Sequence, residues 1–383
     1  MTGGTALVAS PAFAAGFRRP AGIRGSAGIG GPAGIGCAAG SSLGTARCPG
    51  AVRIARCPGA RHRIRHASQA NGSIAVPGAS GHGVPHSIAV SRDAESGTRI
   101  VITGAGGQLG RQILARADVV GRAGAEVRGY GSAELDITDP SSIAAAVTPG
   151  SVVVNCAAHT AVDAAESEED RAALLNEIGP RLLAERCAEV GARLLHVSTD
   201  YVFAGTASTP YEPTDATGPT TAYGRTKLAG ERAVLAALPT ATVVRTAWVY
   251  TGTGSDFVAT MLRLERERDT LDVVDDQVGS PTYSADLADA LLEAAGRSDL
   301  PPILHATNAG TASWFDLARA AFTGVGADPE RIRPCGSDRY VRPARRPAYS
   351  VLSTAAWRNA GLTPLRPWRD GLSAAIQARS LAQ

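Results

Sequence analysis

Lysine is almost absent from this sequence. Its 383 residues include 38 Lys plus Arg, of which one is Lys227 and the other 37 are arginine. Permanent cations therefore fill nearly every basic position, and Lys227 is the one place where a compact, titratable ammonium has been kept. Aromatic residues are scarce at 5%, which leaves each of the four Trp worth placing individually. No apolar run approaches the eighteen or so residues needed to span a bilayer, so no membrane partner is expected. The six Cys offer no metal-ligand spacing: Cys48 and Cys57 lie apart in a Pro/Gly context, while Cys156, Cys187 and Cys335 fall in or beside apolar runs. Buried free thiols in a reducing cytoplasm are the expectation, with no metal site.

A net charge of +3 hides an asymmetry. Ten arginines against Asp93 and Glu95 leave +8 on residues 1–98, and hence −5 on the rest. The N-terminal stretch is rich in Gly, Ala, Pro and Arg, with near-repeats such as "ARCPGA", and has neither strand nor helix periodicity. It cannot bury enough apolar surface to offset its ordering entropy and reads as disordered. Translation of upstream DNA through a misassigned start is the leading account, ahead of a basic tail for nucleic acid or a surface, and then of an export signal, since "TALVASPAFAAGF" lacks a charged n-region. Deleting residues 1 to about 90 is expected to leave activity unchanged, because the segment supplies no core.

From Arg99 the texture changes. "RIVITGAGG", "AEVRGYG", "SVVVNCAA", "ARLLHVSTD" and "ATVVRTAWVY" are short β-branched runs, separated by helical stretches such as "EEDRAALLNEIGPRLLAERCAEV" and "AYGRTKLAGERAVLAAL". Apolar strands alternating with helices predict an α/β, Rossmann-like, doubly wound parallel sheet over residues 99–247. After Tyr250 the pattern loosens, which suits a smaller lobe, mainly residues 248–383, over the carboxyl edge of the sheet where ligands of such folds bind.

Gly104, Gly107 and Gly110 follow the first strand and open a helix. Glycines there let the turn adopt positive φ and the backbone approach a pyrophosphate at the helix N-terminus. A glycine-rich turn alone is commonly only a turn; its place at the head of a βαβ series points to a dinucleotide. The second strand offers Arg128 and no acid at its end, which favours NADPH over NADH unless Arg128 is merely a solvated side chain. Tyr223 and Lys227 are four apart, so a helix puts phenol and ammonium on one face. The ammonium is expected to draw the phenol toward working pH, where it can protonate an oxygen as hydride arrives. "HVSTDYVFAG" closes a strand just upstream with Ser198 and Thr199, placing a hydroxyl where it can hold a carbonyl.

These elements, in this order, resemble the extended short-chain dehydrogenase/reductase family. "TGAGGQLG", "NCAAHTAVDAAE", "STDYVFAG", "AYGRTKLAGE", "VVRTAWVY" and "DDQVGSPTY" narrow the resemblance to its dTDP-4-dehydrorhamnose reductase branch, over essentially all of residues 99–383. The resemblance implies NADPH-dependent reduction of the C4 carbonyl of a dTDP-sugar, dTDP-4-dehydro-L-rhamnose. It implies that Gly107, Gln108 and Leu109 hold the pyrophosphate, that Asp136 and Ile137 flank the adenine, and that Ala158, His159 and Thr160 line the cofactor. It makes Tyr223 the proton donor and Lys227 also a ribose ligand. Thr199 would polarise the carbonyl, with Thr199, Asp200 and Trp248 on the substrate; for Trp248, core packing is the alternative.

Two positions depart from the pattern. Ala204 replaces a usual Asp, and Gln112 stands where some members carry a Glu that supports a magnesium site between subunits. A monomer or weak homodimer without metal is therefore expected. Epimerases and dehydratases that retain NAD share the scaffold, as does a non-catalytic regulatory subunit. Tyr201 after Thr199-Asp200 argues against a dehydratase, and the joint presence of Tyr223, Lys227 and Thr199 argues against a non-catalytic role.

Overall fold

The computed structural model describes residues 99–117 and 125–381; the readings made of residues 1–98 lie outside them. Its centre is a six-stranded parallel sheet. Strands β1 (Arg99–Thr103), β2 (Glu126–Tyr130), β3 (Val152–Asn155), β4 (Arg193–Thr199) and β5 (Thr242–Thr246) are joined by Ile303–His305, in the order Ile303–His305, β5, β4, β3, β1, β2. Every neighbouring pair is parallel. All carboxyl ends therefore share one edge, and β1 lies between strands reached by crossovers in opposite directions, the place where doubly wound sheets bind ligands.

Both faces are covered, which is why these strands are continuously apolar. Ile100, Ile102, Val152 and Val154 pack with Leu287 and Leu291 of the Ser284–Ala295 helix. Val101, Val153 and Leu194, on the opposite face by strand alternation, pack with Leu183 of Gly179–Val190 and Val234 of Ala222–Ala237. A second core gathers the Phe257–Glu267, Trp314–Gly324 and Trp368–Leu381 helices around Tyr250, Tyr283 and Phe322. The stretch beyond residue 248 thus divides: Ser284–Ala295 and Ile303–His305 return to the sheet because their apolar residues complete its core. Among the described residues no helix is long and apolar enough to cross a membrane.

Two local features set the position of the Ala222–Ala237 helix. Its start is fixed by Thr221, whose hydroxyl accepts from the Gly224 N–H at 3.1 Å. Its end falls at Leu238, whose helical conformation is disfavoured by the following Pro239. The helix lies against a run that the sequence presents as one helical stretch. The structure interrupts that run with a π-helical segment, Leu174–Ile178, between Glu169–Ala173 and Gly179–Val190. Pro180 has no N–H to give to the carbonyl of Asn176, which accounts for the break in register there. Gly230 of the neighbouring helix comes so close that a Cβ on it would lie 1.9 Å from that carbonyl oxygen.

Candidate active site

The turn after β1 begins at Gly104, whose φ of +65° few other residues adopt readily. A Cβ there would also meet the Ala157 backbone nitrogen at 2.7 Å, so the turn lies directly on the segment that follows β3. Gly106 and Gly107 are exposed, Gly110 is buried, and Gly107 caps the Gln108–Leu114 helix with no side-chain acceptor on its amides. Leu109 packs against the core and Gln108 is partly exposed. An open glycine turn leading into an uncapped helix suits a phosphate group held by backbone N–H donors.

The segment after β3 carries Ala158, His159 and Thr160. His159 is held by Asn176, which accepts from its N–H at 2.8 Å and donates to its carbonyl at 3.1 Å. The Asn176 amide also donates to Thr226 Oγ1 at 3.1 Å, and Thr226 donates to the Tyr223 carbonyl at 3.0 Å. One buried amide at the π-helical segment therefore fixes the β3 segment to the helix bearing Tyr223 and Lys227. Burial holds the His159 imidazole below its ordinary pKa, although Glu168 lies 3.8 Å away.

Thr199 ends β4 and acts on three groups. It accepts from the Tyr201 N–H at 3.2 Å, donates to Asp200 Oδ1 at 2.9 Å, and its hydroxyl works against the rise in the pKa of the Tyr223 phenol. Tyr223 stands edge-on to Tyr201 with ring centroids 5.5 Å apart. Burial pushes the Asp200 carboxyl up to about 6 and the Tyr223 phenol up to about 12. The phenol thus moves opposite to the expectation that the lysine would draw it down, because desolvation outweighs everything else acting on it. A phenol held protonated is suited to donate rather than to accept.

Lys227, one turn further along, is 2% exposed. Its ammonium donates to the Val197 carbonyl at 2.7 Å and faces His196 Nε2 at 3.4 Å. Burial lowers its pKa to about 8, against the opposing pull of Glu231. Four residues on, Glu231 forms a fully buried, two-pronged ion pair with Arg245 of β5, at 2.9 and 2.7 Å.

The remaining candidates lie further out. Asp136 is exposed and turns its carboxylate onto the Thr138 N–H and hydroxyl at 2.8 and 2.7 Å, while Ile137 is buried. Arg128 lies at the middle of β2, not at its end, exposed and over the Tyr130 ring at 5.1 Å. Trp248 has φ of +47°, the one positive value outside glycine among the described residues. Its indole stacks flat on Trp314 at 3.6 Å. A bulky residue in this conformation is strained by about 1 to 3 kcal/mol, and such strain tends to mark ligand sites.

Sequence reasoning missed Asn176, His196, Glu231 and Arg245. The available signals were a histidine inside an apolar strand, "RLLHVST", and an acid four residues after the lysine on one helix face.

Comparison with known proteins identifies the family. The model of the RmlD substrate binding domain family matches residues 98–380. The dTDP-4-dehydrorhamnose reductase of Mycolicibacterium smegmatis is 58% identical over 282 residues, covering 73% of this chain and 85% of that protein. The enzyme of the same name from Mycobacterium tuberculosis is 55% identical over 285 residues, covering 73% and 93%. Among solved structures, the Bacillus anthracis dTDP-4-dehydrorhamnose reductase in complex with NADP is 35% identical, with a TM-score of 0.69, covering 73% of this chain and 99% of that one. With such identity across nearly the whole length of these enzymes, the chain belongs to the dTDP-4-dehydrorhamnose reductase family.

Proposed function

We propose that this protein reduces the C4 carbonyl of dTDP-4-dehydro-L-rhamnose to the alcohol of dTDP-L-rhamnose, with NADPH as reductant. The observation that carries the reading is that Lys227, one helical turn from Tyr223, donates to Val197 of β4 at 2.7 Å, two residues before Thr199 ends that strand. The name of the Mycolicibacterium relative supplies the substrate, and the NADP in the Bacillus structure supplies the cofactor.

The open glycine turn fits a dinucleotide. Gln108 and Leu109 would present backbone N–H groups to its pyrophosphate beside Gly107, whose own N–H closes the turn on the Gly104 carbonyl at 2.9 Å, with Gly104 and Gly110 shaping the turn. Asp136 and Ile137 would border the adenine, Arg128 the ribose phosphate, and Ala158, His159 and Thr160 the remainder. When bound, the cofactor supplies hydride to the sugar C4. Tyr223 gives its phenolic proton to O4, and Thr199 would turn to that oxygen the one hydrogen it otherwise gives to Asp200 Oδ1, as negative charge develops there. Lys227 holds the ribose hydroxyls and keeps a positive charge near the phenol. Asp200 and Trp248 orient the sugar nucleotide, and a flat indole suits a sugar face.

We keep the division into a cofactor domain, residues 99–247, and a mainly substrate-binding lobe, residues 248–383, with the two elements returned to the sheet. A cytoplasmic monomer or weak homodimer remains our reading: Gln112, where a carboxylate would support a bridging metal, takes a hydrogen bond from Arg116 at 2.9 Å.

The test is direct. Incubation with NADPH and dTDP-4-dehydro-L-rhamnose should consume the two in equal amounts and yield dTDP-L-rhamnose. No consumption, with NAD found tightly bound to the purified protein, would favour the epimerase or dehydratase reading.

A further inference from the structure

A row of buried polar side chains lies against Lys227 and has no part in the reaction as described. Thr103, Asn155 and His196 sit at paired register positions on β1, β3 and β4, and none is more than 1% exposed. Their polarity can be read from one end. The Ala157 backbone N–H can only donate, and it points at Asn155 Oδ1 at 3.1 Å; the Thr103 hydroxyl donates to the same oxygen at 2.6 Å. That assigns the amide, with oxygen toward β1 and nitrogen toward His196. The amide nitrogen, 3.0 Å from His196 Nδ1, makes that ring nitrogen an acceptor. Burial and the adjacent lysine hold the imidazole neutral, so its proton is on Nε2, which faces Lys227 Nζ at 3.4 Å. An ammonium has three donors and no lone pair to offer that N–H; a neutral amine has one. The Val197 carbonyl accepts a hydrogen from either form.

We propose that His196 is a positioning residue, locked by Thr103 and Asn155 with its proton on Nε2, and that this N–H sets the charge state of Lys227 by favouring the neutral amine. Burial favours the neutral amine as well, and the Nε2–H acts in the same direction; the other titratable groups around Lys227 do not. Cys156, beyond β3, is a neutral thiol whose pKa burial pushes up to about 12. Glu231, on the same helix, favours the ammonium, but both of its oxygens are already held by Arg245. Tyr223, also on that helix, keeps its proton. The kinetic consequence, and only that, rests on the reductase reading: activity that needs the ammonium should fall as pH rises past about 8.

The sequence provides an unusual probe. Because Lys227 is the only lysine of the full chain, protein grown on isotope-labelled lysine shows a single side-chain signal, whose shift with pH reports this group without assignment. Its midpoint should lie near 8. The nitrogen spectrum of labelled histidine, with His196 identified by its loss in His196→Gln, should show the proton on Nε2. In Asn155→Asp a carboxylate replaces the donor to Nδ1, draws the proton to that nitrogen and turns the Nε2 lone pair toward the ammonium. The lysine midpoint should then rise by at least about one pH unit, and the alkaline limit of kcat should rise with it. A wild-type midpoint above about 10, a wild-type proton on Nδ1, or an unmoved midpoint in folded Asn155→Asp would each overturn the proposal. Should that variant fail to fold, the two wild-type spectra decide. Spectra as expected from a protein that reduces no sugar nucleotide would leave this proposal standing and remove the reductase reading.

Discussion

Two cations are buried in this protein, and they are held in opposite ways. Arg245 and Lys227 are each 2% exposed. The guanidinium meets both oxygens of Glu231, reaches the Pro213 carbonyl at 3.3 Å and stacks over Phe203 at 4.9 Å. The ammonium meets one carbonyl and one imidazole nitrogen. A planar fork paired with a carboxylate is a permanent charge that organises its surroundings. A point charge stripped of water and given no carboxylate of its own is a charge that can be moved. The protein uses arginine wherever the first property serves, and the single lysine stands where the second is needed.

The largest effects should come from erasing that distinction. Tyr223→Phe removes the proton donor and should lower kcat by about a hundredfold to ten-thousandfold. Lys227→Arg should fold normally yet lose at least about a hundredfold in kcat with NADPH. The wider guanidinium must displace either the ribose or the phenol, and a misplacement of about 1 Å is enough for that loss. Near-wild-type turnover in the arginine variant would show that permanent charge suffices.

The opposite cation is broken by Glu231→Gln. Arg245 would then be buried without its carboxylate, and stability should fall by about 3 to 5 kcal/mol, read by denaturant unfolding at neutral pH. Wild-type stability in this variant would mean that the pair is not the support it resembles. The same variant should lower the Lys227 midpoint, since Glu231 is what favours its charged form.

Asp200 extends the comparison to a buried anion. Its pKa is raised to about 6 from an ordinary 3.8, so the folded chain holds this proton more tightly than the unfolded chain does. The stability so gained is complete below about pH 4 and is lost as pH rises through about 6. Across that window it should amount to something on the order of 3 kcal/mol. Asp200→Asn, which cannot ionise, should flatten that part of the stability curve, and an unchanged slope would place the titration elsewhere.

Whatever depended on local pattern could be read from the sequence. β-Branched runs, the glycine turn and the Tyr223–Lys227 spacing are short-range features, and the sheet follows from them. The row of Thr103, Asn155 and His196 could not be read, because its members are about fifty and forty residues apart and only strand register aligns them. Nor could the π-helical segment be foreseen: Pro180 hints at it, but the close approach of Gly230 is a tertiary fact. The reversed shift of Tyr223 has the same origin. Spacing along a helix shows that phenol and ammonium share a face, whereas burial, which the sequence does not display, decides the direction in which each pKa moves.

A third cation, exposed rather than buried, sets the lower end of the scale. Arg128 lies at the middle of β2, over the Tyr130 ring, with water around it. If its guanidinium reaches along the strand to the 2′-phosphate of NADPH, the contact is charge-assisted but screened, and about 1.5 to 3 kcal/mol is the most it should contribute. Arg128→Asp should therefore lower kcat/KM for NADPH by roughly tenfold or more, and for NADH by less, because NADH carries no 2′-phosphate to repel. The ratio of the two losses is the informative quantity. Equal losses would mean that Arg128 acts on the strand through Tyr130 and not on the cofactor. A loss confined to NADPH would show that an exposed arginine can select a ligand by charge alone, without the surrounding network that Lys227 requires.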